Sequence, residues 1–194
     1  MKLHVEHQES YSRLELLARS FFGFIYIMLP HVVVLLFVNL WGAILSFLKF
    51  WTVLFTGRIP DYIYRFEIGY LNWTIRLNAT ISNLVDGYPA IGVKPRAENA
   101  YVEFANPETV SRVDLLVRAL FGALYVSIPH QFVLFFRTIW GSVLSVLAWW
   151  AVLFTGRYPE SWHEFQVGTL RWLSRVFLYL GLYENDYPPF SGKE

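Results

Sequence analysis

The sequence predicts an all-α integral membrane protein made of two tandem copies of one unit. Each unit is a hydrophobic helical hairpin followed by an amphipathic interfacial helix, with a possible small strand pair outside the membrane. Three observations carry this. Leu54-Phe55-Thr56-Gly57-Arg58-Ile59-Pro60 returns as Leu153-Phe154-Thr155-Gly156-Arg157-Tyr158-Pro159, and a shift of 99 lays residues 11–92 on 110–191 without a gap, with 33 identities in 82 positions. A gapless match of that length is a duplication and governs every later step. Residues 20–56 carry Lys49 as their only formal charge, and residues 119–155 only Arg137. The whole chain is 55% hydrophobic, 19% aromatic and only 16% charged, where a soluble domain has about 25% charged residues.

The eight Trp and twelve Tyr suit a membrane interface, because rings with one apolar and one polar end settle there. A net charge of +1 with no dense basic run argues against nucleic acid as a partner. Without cysteine there is no disulfide, thiolate nucleophile or cysteine-ligated metal. The organisation is a first membrane repeat with an N-terminal strand (1–92), a connector (93–109) and a second membrane repeat (110–194).

In chain order, residues 2–6 read as a short strand or an ordered tail. Ser12-x-x-Glu15 has capping-box spacing and Ser111-x-x-Asp114 nearly repeats it, so a helix starts near residue 12 and again near 111. The two apolar runs of 37 residues follow. One crossing needs about 20 residues, so each run is too long for one straight span and barely enough for two. Either one long helix crosses once, with Pro30 or Pro129 separating it from an interfacial helix, or the run is a tight hairpin. In the hairpin the turns fall at Asn39-Leu40-Trp41-Gly42 and Thr138-Ile139-Trp140-Gly141. Charge favours the hairpin, because it sets fourteen of the sixteen Lys and Arg residues on one side, all but Lys49 and Arg137. The positive-inside rule makes that side cytoplasmic. The expected location is therefore the cytoplasmic membrane, multi-pass or hairpin-inserted, with both termini in the cytoplasm.

Gly57 and Gly156 directly follow an apolar run, and Pro60 and Pro159 come three residues later, which marks a helix stop with positive φ at the glycine and a structural turn. Ile63, Phe66, Tyr70, Trp73, Leu77, Ile81 and Leu84 then follow the three- and four-residue steps of one helical face, opposite Arg65, Gly69, Asn72, Arg76 and Asn83. Copy two repeats this with Trp162, Phe165, Trp172, Val176 and Leu180 against Glu164, Gly168, Arg171 and Arg175. Helices of this kind lie in the interface plane or pack on their own hairpin. Between the copies, residues 100–105 alternate and can pair with residues 2–6.

The Pro-His entry to the apolar run, Leu153-Phe154-Thr155-Gly156-Arg157-Tyr158-Pro159, Arg171-Trp172-x-x-Arg175 and Tyr187-Pro188-Pro189-Phe190 resemble a bacterial membrane-domain family, domain of unknown function 4389. The resemblance covers nearly the whole chain twice. Copy two fits better, since copy one has Ile59, Asn72-Trp73 and Tyr88-Pro89-Ala90-Ile91 in these places. It implies a membrane location and bacterial origin, and no reaction.

His31 and His130 are equivalent, and a twofold could bring them together as metal or haem ligands. Neither has a second ligand at i+3 or i+4, so hydrogen-bonded imidazoles and no metal are expected. There is no Ser-His-Asp set, phosphate-cradling Gly-rich loop or buried carboxylate pair. The expectation is a protein that is not an enzyme and takes no cofactor. Arg58 and Arg157 are the candidate contacts to a lipid phosphate or a partner, with Arg76, Arg175, Trp73 and Trp172 beside them, since arginine forks grip phosphate in two places. The expected role is a non-catalytic accessory or scaffolding subunit of a larger membrane complex, with lipids and other membrane protein subunits as partners. The alternative is a lipid-binding or membrane-shaping protein.

Overall fold

The computed structural model describes residues 1–94 and 98–194. Arg96, one of the fourteen basic residues assigned to one side, lies outside the described residues. Both serines cap their helices, but the reciprocal half of the capping box does not form: the Ser12 N–H donates to Asp86 Oδ2 at 2.6 Å and Glu15 Oε2 accepts from the Gly87 N–H. Ser12 Oγ accepts the Glu15 N–H at 3.3 Å and Ser111 Oγ accepts the Asp114 N–H at 3.2 Å. They start α1 (Arg13–Gly23) and α4 (Arg112–Gly122). Each continues through a π turn, Phe24–Met28 or Ala123–Ser127, into α2 (Leu29–Thr56) or α5 (Ile128–Thr155). The result is two uninterrupted helices of 44 residues, Arg13–Thr56 and Arg112–Thr155, both long and apolar enough to cross a membrane.

The hairpin is therefore corrected: residues 39–42 and 138–141 lie inside α2 and α5. Neither tetrapeptide contains proline, and a lone glycine costs a helix only about 1 kcal/mol. The glycines serve packing instead. A Cβ on Gly42 would stand 3.4 Å from the Phe66 ring, and the Gly141 carbonyl accepts from Gln166 Nε2 at 2.6 Å. The irregularity sits twelve residues before these glycines, at proline. Pro30 and Pro129 lack an N–H, and their rings crowd the carbonyl four residues back. The wider π turn relieves this, with the Leu29 and Ile128 N–H groups reaching Phe24 O and Ala123 O, five residues back. Of the two readings of the run, the long helix is the one that forms.

Both long helices stop as expected. Gly57 has φ 70° and Gly156 φ 73°, and their N–H groups close on Val53 O and Val152 O at 2.8 Å. Pro60 and Pro159 then open α3 (Asp61–Ile81) and α6 (Glu160–Leu180), their carbonyls accepting the first-turn N–H groups.

The repeats exchange contacts reciprocally. The Tyr11 N–H donates to Gly156 O at 2.8 Å, and its equivalent Val110 N–H donates to Gly57 O at 2.8 Å. Arg13 Nη2 reaches Phe154 O, and Arg112 reaches Leu54 O and Phe55 O. Such swapped pairing is the signature of a twofold axis. The sheet obeys it too. Strand β1 (Lys2–Val5) runs antiparallel to β2 (Ala100–Glu103), with Lys2 opposite Glu103, Leu3 opposite Val102 and His4 opposite Tyr101. A shift of 99 turns Leu3 into Val102, so that pair stands on the axis and its neighbours exchange around it.

Three layers result. The long helices form one outer layer and α3 and α6 the middle. The strand pair covers the far side, fastened by Asn72, whose side chain donates to Val102 O and accepts from Val102 N. One core threads all three and includes Leu45 and Val53 of α2, Ile63 and Ile75 of α3, Val102 of β2, and Ala148 and Val152 of α5. Burial pushes the Tyr11 and Tyr158 hydroxyls in this core up to about 12. The amphipathic helices pack on the long helices, α3 on α2 and α6 on α5.

A Cβ on Gly156 would meet only ordinary contacts, the nearest being Arg13 Nη2 at 3.8 Å, so substitution there strains the backbone rather than the packing. Gly156→Val should destabilise by about 1 kcal/mol or more, read as a lower thermal midpoint in detergent, while Gly87→Ala, with nothing within 4 Å of its Cβ but φ 94°, should also lose stability through backbone strain alone.

Candidate functional site

Arg58 and Arg157 follow the αL glycines directly and are exposed. Their backbone N–H groups bond Thr56 Oγ1 and Thr155 Oγ1 at 3.2 and 3.1 Å, which fixes the corner. Among the described residues no carboxylate or carbonyl engages either guanidinium. The helix-end carbonyls within their reach are taken by Arg112 and Arg13 of the opposite repeat, and Glu164 pairs with Arg171 at 2.9 Å. Each corner thus carries two arginines, Arg58 with Arg112 and Arg157 with Arg13. One of each pair is committed to the fold and the other is open.

The remaining candidates turn inward. Trp73 and Trp172 are 0% and 2% exposed. Trp73 Nε1 donates to His31 Nδ1 at 2.8 Å, and Trp172 Nε1 to His130 Nδ1 at 2.7 Å. An indole only donates, so both imidazoles are neutral and carry their proton on Nε2. Each histidine is thus tied to the tryptophan of its own repeat rather than to the other histidine. The returning chain lies over each pair: Tyr88 over His31 at 5.7 Å between ring centroids, and Phe190 stacked on His130 at 4.1 Å. Arg76 and Arg175 hold that chain in place, Arg76 Nη2 through Ala90 O and Gly92 O and Arg175 Nη1 through Ser191 O and Lys193 O. Gly69 and Gly168 admit it, since a Cβ on Gly69 would collide with the Val93 carbonyl and one on Gly168 would stand 2.9 Å from Gly192 O. Burial lowers the pKa of both guanidiniums; Glu184 and Glu194 oppose this for Arg175. Among the described residues no three His, Asp or Glu side chains gather to hold a metal ion.

With this geometry repeated in each half, the family comparison has a clear counterpart. The family model matches residues 18–91 and again 114–192. The chain belongs to the family described as Domain of unknown function (DUF4389). Two tandem DUF4389 repeats make up most of it, as the motifs imply. No curated protein and no solved structure matches the chain.

Two groups outside the expected set carry charge into the apolar layer of the DUF4389 pair. Lys49 is 8% exposed and donates to both Glu67 oxygens at 2.7 Å and to Gly181 O at 3.3 Å, with its ammonium 5.2 Å from the Tyr183 ring centroid. The second repeat has Ala148 and Gln166 at these positions, and Gln166 bonds Ser145 Oγ and Gly141 O instead. Arg137 turns toward α6. It bonds Thr169 Oγ1 at 2.8 Å and Phe165 O at 2.9 Å and covers the Phe165 ring. The repeat alignment held the signal for the first pair, since Lys49/Ala148 and Glu67/Gln166 change together.

Removing one member of a buried ion pair costs about 3–5 kcal/mol, because the other charge is left alone. Lys49→Ala should therefore be strongly destabilising. Lys49→Ala combined with Glu67→Gln, which copies the second repeat, should recover most of the loss in a double-mutant cycle of thermal unfolding.

Proposed function

We propose that this protein is a non-catalytic scaffold of the bacterial cytoplasmic membrane, an accessory subunit that organises partner helices and lipid. The observation that carries this is the outer face of the long helices. Leu14, Phe21, Ile25, Leu29, Val32, Leu36, Leu40, Phe47, Trp51 and Phe55 are all exposed along one stripe, and Val113 through Phe154 repeat it. Water-soluble proteins rarely leave apolar patches beyond a few hundred Å² open. The opposite stripe, with Leu16, Ile27, His31, Leu45, Lys49 and Val53, is buried against the rest of the fold. All ionised groups on the long helices between Ser20 and Thr56, and between residues 119 and 155, are turned into the protein. A membrane surface is the environment that accepts such an arrangement. The basic residues of the middle and sheet layers favour the cytoplasmic side.

Purification in mild detergent is expected to retain partner subunits in fixed ratio, seen as a larger species by mass spectrometry. A chain that is alone at every detergent concentration would count against the subunit role.

The open guanidiniums of Arg58 and Arg157 favour a second, lipid-directed reading. An arginine fork grips a phosphate in two places where lysine offers a point charge. Arg58→Lys with Arg157→Lys should therefore lose bound anionic lipid nearly as fully as the Arg→Gln pair, measured by native mass spectrometry. A Lys pair that retains lipid like the unmodified chain would reduce both residues to topology signals.

A further inference from the structure

We infer that the chain embeds in a single leaflet: the partner of its apolar face is one lipid monolayer, and neither long helix crosses the bilayer. This rests on the membrane reading above. The argument begins with the reciprocal contacts. The start of the first long helix touches the end of the second, through Tyr11 N to Gly156 O and Arg13 to Phe154 O, and the start of the second touches the end of the first. The start of each helix therefore shares a depth with the end of the other.

The twofold axis fixes the rest. It passes through the Leu3–Val102 pair of the strand pair. An axis lying in the membrane plane would place those strands at mid-depth, with exposed Lys2, His4 and Glu103 in hydrocarbon. Exposed ionisable groups are costly there. The axis therefore stands along the membrane normal, strands toward water and apolar stripes toward lipid. A normal axis keeps equivalent points at equal depth, so both starts are level. Since each start also adjoins the opposite end, both ends of each long helix lie at one depth.

A helix whose ends are level can enter the bilayer only by bending, and the break available is the π turn before Pro30 or Pro129. The shorter arm, Arg13–Gly23 plus Phe24–Met28, has 16 residues. At 1.5 Å per residue it descends at most about 24 Å even if upright, which is less than the roughly 30 Å hydrocarbon core, so it cannot cross; tilted by about 50° or more it stays within one leaflet of about 15 Å. Arg13, Arg58, Arg112 and Arg157 then form a basic rim at headgroup level, where all four are exposed.

The absence of cysteine makes the test direct. Glu9→Cys, Asp61→Cys, Glu108→Cys and Glu160→Cys mark the four helix ends at exposed positions. A membrane-impermeant maleimide should label all four from the same face, tested on intact spheroplasts and on inside-out vesicles. A nitroxide on Leu40→Cys, in the exposed stripe of α2, should report a depth of less than half the core, about 15 Å, by oxygen and nickel accessibility. Labelling of Glu9→Cys and Asp61→Cys from opposite faces, or a Leu40 label beyond the midplane, overturns the single-leaflet placement while leaving the membrane reading intact. Release of the unmodified chain into the supernatant by alkaline carbonate overturns the membrane reading itself.

Discussion

The fold depends on how the two long helices end. An αL glycine stops each one and leaves its carbonyl pointing outward, where the chain entering the opposite repeat donates to it: Tyr11 to Gly156 and Val110 to Gly57. The arginine two residues after each donor then covers the last carbonyls of the helix it has reached. Helix-end carbonyls are orphan acceptors with partial negative charge, and an isolated repeat has no group placed to satisfy them this way. The joint also brings the capping serines beside the Thr-Gly-Arg corners, so helix start and helix stop are one piece of structure. Packing of α3 and α6, the strand register and the direction of the apolar stripes all follow from that joint.

The middle layer converts an apolar outer layer into a hydrated surface. Trp73 and Trp172 occupy the positions where interfacial aromatics would be expected, yet both are buried. Their N–H groups bond Nδ1 of His31 and His130, which in turn sit just past the π turns. The same residues thus fix where the irregular part of each long helix rests on its supporting helix. Arg76 and Arg175 perform the next step, drawing the returning chain across that contact through backbone carbonyls.

Much of this was legible in the sequence. The serine N-caps, the glycine stops, the proline-opened helices and the strands are local signals, each set by a few neighbouring residues, and each formed. The hairpin turn was misplaced because Gly42 and Gly141 read as turn residues, whereas their small size is needed for Phe66 and Gln166 on a helix distant in sequence. The counting of basic residues carried no information on whether the run turns back or continues as one helix whose ends adjoin those of the opposite repeat. Lys49 and Arg137 looked like exceptions only because their acceptors, Glu67 and Phe165 O, belong to the next helix. Trp73 and Trp172 were assigned to lipid from residue type, and nothing local reveals that an indole has an imidazole waiting for it.

The pairing of Leu3 with Val102 on the axis has a consequence for how this chain tolerates change. In an assembly of two identical chains, any substitution at a reciprocal contact would be made at both contacts together, and its energy would be doubled. Joined in one polypeptide, the halves vary separately. One contact can weaken while its counterpart holds the joint closed. That freedom is visible where Lys49 and Glu67 face each other in one half and Ala148 and Gln166 stand in the other: two solutions to the same junction, carried side by side in a single molecule.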